Sequence, residues 1–177
     1  MENGFNFYRI KMAYKETNDL GAIVNVKTED LVMASCYTEA EKIAYKLAEG
    51  KDEFGGVDYE IVRTKISEIA YNDTFATDTQ LTCGLVTYFF EEEEETEVGL
   101  YQVNLVYYAI DEKTGKTKPQ NETIFIPALS SSEVVNNIHS HLKQVGETRD
   151  YTIRNVKYDK AQSVMVTPDT HQKNIGA

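Results

Sequence analysis

Two stretches of alternating sequence decide the fold: YRIKMAY at residues 8–14 and YQVNLVY at residues 101–107. In both, apolar or aromatic residues occupy every second position, which is typical of a strand with one face toward a core and the other toward solvent. The side chains expected to face inward are Tyr8, Ile10, Met12 and Tyr14 in the first stretch and Tyr101, Val103, Leu105 and Tyr107 in the second.

Around these stretches the chain repeats one series of elements: strand, strand, helix and strand. The first copy covers residues 5–71 and the second covers residues 98–166. The pattern predicts an α+β fold of internally duplicated ββαβ units, with a mostly antiparallel sheet and one helix per repeat. The predicted division of the chain is 1–74 for the first repeat, 75–97 for a connecting strand and acidic linker, 98–166 for the second repeat, and 167–177 for a flexible tail.

Both helices are predicted from a polar start followed by an apolar stripe. Thr38 and Glu41 have the spacing of a capping box, and the serines at 130–132 can cap the second helix. Gly50 and Gly146 stand where the two helices should end. The apolar stripes comprise Ala40, Ile43, Ala44 and Leu47 in the first helix and Val134, Ile138, Leu142 and Val145 in the second.

The composition of the 177 residues, 41% hydrophobic and 27% charged, is typical of a folded globular protein. A net charge of −11 opposes binding to phosphate backbones or acidic membranes unless basic residues gather on one face. No run of apolar residues is long enough to span a membrane. Cys36 and Cys83 lie far apart, and the first residues do not resemble a signal peptide, so we expect a cytoplasmic protein.

Two segments carry a resemblance to a known family: LVMASCYTEAE at residues 31–41 and IDEKTGK at residues 110–116. Both resemble signature stretches of an uncharacterised family of short proteins from Bacteroidota and from bacteriophages that infect them, including gut phages. The resemblance covers roughly residues 5–166. Because its motifs are a helix start and a hairpin turn, it implies a shared fold and assigns no catalytic residue.

The sequence offers little catalytic or metal-binding chemistry. His139 and His141 are two residues apart, so they would lie on different faces of a helix and could not form a zinc pair. Gly55 and Gly56 precede a strand, which predicts a turn rather than a phosphate loop. We therefore predict that the protein is not an enzyme, with no catalytic residue, no metal site and no cofactor.

The outward face of the first strand combines aromatic and basic side chains, beginning with Phe5 and Phe7. Rings interleaved with cations on an open sheet are typical of proteins that bind single-stranded nucleic acid. This pattern predicts a non-enzymatic accessory protein for single-stranded DNA in phage or mobile-element DNA metabolism. The predicted contact residues are Phe7, Arg9, Lys11, Arg63, Lys65 and Lys157. The alternative that stays open is that this face is packed away in the core or against a second subunit.

Other functions also remain open. An acidic module could regulate or inhibit a basic host or phage protein through Glu91, Glu92, Glu93, Glu94 and Glu95. A small ligand could bind between the two repeats. A homo-oligomer is compatible with the sequence, and no membrane partner is expected.

Overall fold

The structure is a computed structural model that describes residues 4–70, 79–90 and 98–175. The elements in chain order are β1 (Asn6–Thr17), β2 (Ile23–Ala34), α1 (Tyr37–Ala48), β3 (Asp58–Arg63), β4 (Ile66–Ile69), β5 (Thr79–Thr82), β6 (Leu85–Phe89), β7 (Gly99–Ile110), β8 (Thr117–Ala128), α2 (Ser131–Gln144), β9 (Asp150–Asp159), β10 (Ser163–Val166) and α3 (Pro168–Ile175). The fold is α+β, as predicted, with strands predominating.

These elements form two compact units, and neither unit is a continuous piece of the chain. Unit 1 contains the described residues among 1–64, 78–89 and 161–177, and unit 2 contains those among 65–77 and 90–160. The chain therefore passes between the units several times.

Unit 1 is built on a six-stranded sheet in the order β3–β1–β2–β10–β6–β5. Strands β2 and β10 are parallel, and the other neighbours are antiparallel. Helix α1 packs on the face formed by the inward residues of β1. Because alternate residues of a strand share a face, the predicted inward residues Tyr8, Ile10 and Met12 are buried there, and Tyr14 is partly buried. The buried side chains in this layer include Tyr8, Ile10, Met12, Ala40, Ile43 and Ala44.

Unit 2 is built on a four-stranded sheet in the order β4–β8–β7–β9. Helix α2 covers one face, and the alternation of β7 again determines which side chains it covers. The buried side chains include Val103, Leu105, Tyr107, Val134, Ile138 and Leu142. Val145 was expected to continue the stripe, and this prediction is wrong. The helix ends at Gln144, and Val145 is 59% exposed.

The position of β4 and β10 was not predicted from the sequence. Strand β4 follows β3 of unit 1 but pairs in parallel with β8 of unit 2. Strand β10 follows β9 of unit 2 but pairs in parallel with β2 of unit 1. An unpaired edge of β2 or β8 would leave a row of backbone donors and acceptors without partners, and these short parallel strands satisfy them.

Both helices start differently from the predicted capping box. The N-cap residues are Cys36 and Ser130, and neither makes a side-chain cap hydrogen bond. Instead, the backbone N–H of Ser35 donates to Glu39 Oε2 at 3.0 Å, and that of Leu129 donates to Glu133 Oε2 at 2.9 Å. The predicted reciprocal pair of Thr38 and Glu41 is therefore wrong, because α1 begins at Tyr37 and places Glu39 in the third helical position.

The C-terminal segment differs from the flexible tail that the sequence predicts. Residues Pro168–Ile175 form α3. Thr167 starts this helix, because its Oγ1 accepts from the backbone N–H of Thr170 at 3.2 Å. His171 on α3 hydrogen-bonds through Nδ1 to the hydroxyl of Tyr88 on β6, and the side chain of Tyr88 is buried. This contact joins α3 to strand β6 of unit 1.

Candidate nucleic-acid interface

Phe7 lies on the face of β1 opposite α1, and its side chain is only 3% exposed. Its register partner on β2, Met33, is 1% exposed. A ring that is already buried cannot stack on a nucleic-acid base without displacing its neighbours. The burial of Phe7 therefore agrees with the alternative that this face of β1 is packed away rather than open to nucleic acid.

The two cations that follow Phe7 are accompanied by carboxylates. Arg9 Nη1 lies 3.1 Å from Glu29 Oε2, and the Arg9 side chain is only 16% exposed. Lys11 is exposed, but it stands opposite Glu29 on β2 and Glu60 on β3. These carboxylates offset the positive charge that would attract phosphates.

The remaining predicted cations do not join this face. Arg63 faces the same side as Tyr8, which is the α1 side, and its Nη2 donates to Asn6 Oδ1 at 3.2 Å. Lys65 is exposed in the connection between β3 and β4, and Lys157 is exposed on β9 in unit 2. The six predicted residues therefore occupy two faces of one sheet and positions in the other unit.

The acidic run Glu91–Glu95 lies outside the described residues. Within residues 4–70, 79–90 and 98–175, no group of three or more His, Cys, Asp or Glu side chains could hold a metal ion. The helix histidines make ordinary polar contacts. His141 Nε2 lies 2.8 Å from Glu68 Oε1, and His139 hydrogen-bonds to Tyr151.

Unit 2 carries a different polar surface, on the face of its sheet opposite α2. We call it the β9 face. Strand β9 is an edge strand with a register shift after Asn104, so its backbone and outward side chains are accessible. The β9 face comprises Gln102, Asn104, Tyr108, Thr152, Arg154, Asn155 and Lys157. The last four of these residues are exposed, and the first three are partly buried.

Neutral hydrogen-bonding groups form the centre of the β9 face. Gln102 Nε2 donates to Asn104 Oδ1 at 3.3 Å, and Thr123 Oγ1 donates to the same oxygen at 3.1 Å. Lys157 stands opposite Gln102, and Asn155 stands opposite Asn104. Amides that present both donors and acceptors beside an exposed cation can bind bases and phosphates together.

Tyr108 lies at one end of the β9 face. Its Oη is 3.5 Å from Arg154 Nη2. Hydrogen bonds from Thr152 and Arg154, together with the positive charge of Arg154, lower the pKa of Tyr108. Arg154 therefore supplies positive charge at this end, close to Asp150, in a chain with a net charge of −11.

Carboxylates flank the β9 face rather than crossing it. Asp150 stands opposite Tyr108 at one end, and the buried Asp159 stands opposite Leu100 at the other. In the described part of β7 and β9 between these two aspartates, the side chains on this face are uncharged or basic. This arrangement contrasts with β1, where Arg9 and Lys11 each have a glutamate beside them.

The amides of this face were not predicted from the sequence, although their spacing carries a signal. Gln102 and Asn104 alternate with Val103 and Leu105, so the period of two that identifies the core also identifies a polar outer face. Asn155 could not be assigned in the same way, because the register shift changes the pairing of β9 with β7.

Each unit also contains a polar cluster near the end of its helix. In unit 2 the guanidinium of Arg149 lies 4.0 Å from the ring centroid of Tyr107 and donates to Glu147 at 2.8 and 2.9 Å. These bonds lower the pKa of Glu147 to about 2. In unit 1 the ammonium of Lys51 lies 5.3 Å from the ring centroid of Tyr14. Both contacts fix the loop that follows the helix.

Asp30 is the buried carboxylate of unit 1, with 4% exposure. Ser163 Oγ donates to its Oδ1, and Gln162 Nε2 approaches the same oxygen at 3.4 Å. Burial raises the pKa of Asp30, and the two hydrogen bonds and the charge of Lys51 oppose that rise. Because Ser163 belongs to β10, we interpret Asp30 as a residue that holds β10 against β2.

The described helices include none that is long and apolar enough to cross a membrane. No curated protein matches the chain in sequence. One family model does match, over residues 6–167, and its description is "Domain of unknown function (DUF4494)". Since this match spans both units and nearly the whole described chain, the protein belongs to the DUF4494 family.

Proposed function

We propose that the protein is a non-enzymatic accessory protein that binds single-stranded DNA through the β9 face. The observation that carries the proposal is the pair of exposed cations, Arg154 and Lys157, beside a row of amides that no carboxylate interrupts. Cations would contact phosphates, and the amides would bond to base edges. Of the residues predicted from the sequence, Lys157 takes part in this proposal.

The β9 face offers fewer aromatic rings for base stacking than typical single-strand-binding proteins do. Tyr108 is partly buried, and the exposed ring at the end of β9 is Tyr158, whose edge contacts Tyr101 at a centroid distance of 5.5 Å. Tyr158 faces the α2 side, since it stands opposite Tyr101. We therefore expect binding to be weak and largely electrostatic, with a steep dependence on salt.

The test measures fluorescence anisotropy of a labelled single-stranded oligonucleotide over a series of salt concentrations. Each phosphate contact on a single strand contributes a slope of about −0.7 to log K against log salt. The double substitution Arg154→Ala/Lys157→Ala is therefore expected to reduce the magnitude of the slope by about 1.4 and to weaken binding at low salt.

The matched control removes two exposed cations of unit 1, Lys11→Ala/Arg63→Ala, which lowers the net charge by the same amount. This control should keep the salt slope of the wild type. Equal losses in both double variants would show that only total charge matters, and an absence of binding at low salt would exclude the function. In that case the acidic run at 91–95 becomes the first surface to test for protein partners.

We also propose that the two units derive from one ββαβ ancestor and that the protein acts in phage or mobile-element DNA metabolism. Three observations support the duplication: two hairpins of twelve-residue strands, a third strand added to the first strand of each hairpin, and a helix start that uses Glu39 or Glu133 in the same way. A sequence profile built from relatives of residues 6–63 should detect residues 99–159. Failure to detect them would argue against duplication.

A further inference from the structure

Three tyrosines and a glutamate cluster on the outer side of α1. Tyr37, Glu41 and Tyr45 are spaced four residues apart, so they share one face of the helix. Tyr59 on β3 faces the same helix. Tyr37 is 52% exposed and Tyr45 is 55% exposed, which leaves large aromatic surfaces accessible to solvent. We call these four residues the tyrosine cluster.

Two of the rings stand nearly perpendicular to each other. The ring centroids of Tyr45 and Tyr59 are 5.5 Å apart, and their planes meet at 75°. In this arrangement the edge of one ring lies against the face of the other, and the exposed part of Tyr45 leaves aromatic surface open to a ligand. The face of an aromatic ring carries negative quadrupolar potential and attracts cations.

The electrostatics of the cluster favour positive charge. The pKa of Tyr59 is raised to about 12, first by its hydrogen bond with Tyr45, then by burial and by the negative charges of Tyr45, Glu41 and Tyr37. Of these groups, the carboxylate of Glu41 carries the negative charge that is present at neutral pH, and it stabilises a nearby cation. The carboxylate of Glu41 would repel a nucleic-acid phosphate approaching the same rings.

The contacts of α1 do not require a glutamate at position 41. The cap of α1 is supplied by Glu39, which accepts from Ser35. Among the described residues, Glu41 forms neither a hydrogen bond nor an ion pair. It is half-buried on α1, one helical turn from each of the exposed tyrosines. Its free carboxylate is therefore available to a ligand.

Unit 2 provides an internal comparison. In both helices the third residue is a glutamate that accepts a hydrogen bond from a backbone N–H just before the helix. The residues of α1 and α2 can therefore be compared position by position from the first residue of each helix. The positions of Tyr37, Glu41 and Tyr45 are occupied in α2 by Ser131, Val135 and His139. His139 still contacts Tyr151, at a centroid distance of 5.6 Å, so the helix packs without the exposed tyrosines and the glutamate. The fold itself does not require this cluster.

We propose that the tyrosine cluster binds an organic ammonium cation, with the rings of Tyr45 and Tyr59 against its alkyl groups and Glu41 opposite its charge. A methylated ammonium group fits best, because it combines positive charge with apolar surface and gives up little hydration. The same chemistry occurs in free choline and in a trimethylated lysine side chain. This inference does not rest on the proposed binding of DNA.

The test uses NMR on protein with ¹³C-labelled tyrosine rings and follows the ring signals during titration. The probe is choline, and its neutral isostere 3,3-dimethylbutan-1-ol has the same shape without the charge. Choline should give saturable shifts confined to the cluster, and the alcohol should bind at least about fivefold more weakly. A peptide with one trimethyllysine, compared with its unmethylated form, then distinguishes a protein ligand from a free amine.

Two variants locate the site. Tyr45→Leu removes one ring and should weaken choline binding about fivefold, and Glu41→Gln removes the charge and should weaken it about threefold. His139→Leu is the matched control in unit 2 and should leave the affinity unchanged. Equal binding of choline and the alcohol, an absence of saturable shifts, or unchanged affinity in Glu41→Gln would overturn the proposal. Shifts of the same rings with an oligonucleotide but not with choline would also overturn it and would assign the rings to base stacking.

Discussion

A chain shortened to residues 1–160 is expected to lose the folded structure of unit 1 and to keep that of unit 2. The deletion removes β10, which lies between β2 and β6 in the middle of the six-stranded sheet. Val164, Met165 and Val166 on this strand are at most 2% exposed. Their burial contributes on the order of 5–9 kcal/mol, which approaches the total stability of an ordinary domain.

Unit 2 contains all four strands of its sheet, and the described part of this unit ends before the deletion. Amide hydrogen exchange measured residue by residue should therefore show lost protection in β1 and β2 and retained protection in β7 and β8. The control is a chain shortened to residues 1–167, which loses α3 but keeps β10. It should keep β1 and β2 protected. Native protection of both strands in the 1–160 chain would contradict the assigned role of β10.

The second large effect is expected at Asp30, which joins β2 to β10. In Asp30→Ala the buried Ser163 hydroxyl loses its acceptor, and the side chain of Gln162 loses one as well. An unpaired buried polar group costs about 1–3 kcal/mol. Asp30→Asn keeps an oxygen at the same position. We expect Asp30→Ala to be about 2 kcal/mol less stable than Asp30→Asn in urea unfolding at neutral pH.

The same residue predicts a pH dependence. Burial raises the pKa of Asp30 in the folded protein, so folding favours its protonated form. The stabilising contribution of this carboxyl is complete below its unfolded pKa of about 4 and is lost as the pH rises through the folded value. Relative to Asp30→Asn, the wild type should therefore gain stability as the pH falls from 7 toward 4. Parallel curves of unfolding free energy against pH would show that Asp30 does not titrate as its burial implies.

Much of the local structure could be predicted because it depends on neighbours in the chain. The period of two in residues 8–14 places Ile10 and Met12 in the core, and the period of 3.6 does the same for Ile43. Gly50 and Gly146 end the helices with φ of 77° and 74°, which glycine adopts without strain. The predicted start of α1 was two residues late, because Cys36 and Glu39 have the same three-residue spacing as Thr38 and Glu41.

The candidate sites were harder to predict, because exposure depends on residues distant in the chain. The sequence shows that Phe7 and Arg9 share a face, but only the structure shows that Phe7 is buried and that Arg9 pairs with Glu29. The spacing of four residues places Tyr37, Glu41 and Tyr45 on one face of α1, but only the structure shows that Tyr59 of β3 joins them. The Arg9–Glu29 ion pair and the Tyr45–Tyr59 ring contact each join two elements that are distant in sequence. Spacing along the chain therefore does not predict them.

The sequence by itself determined the long strands β1 and β7, the helices α1 and α2, and their buried faces, because hydrophobic periodicity acts within a single element. The tertiary structure alone decided which sheet each short strand completes. Strands β4 and β10 have only four residues each, and the sequence of such a short strand does not indicate which strand it pairs with. Their pairing with the open edges of β2 and β8 depends on backbone hydrogen bonds, which any extended segment can make. The tertiary structure therefore decides which segment pairs with each edge.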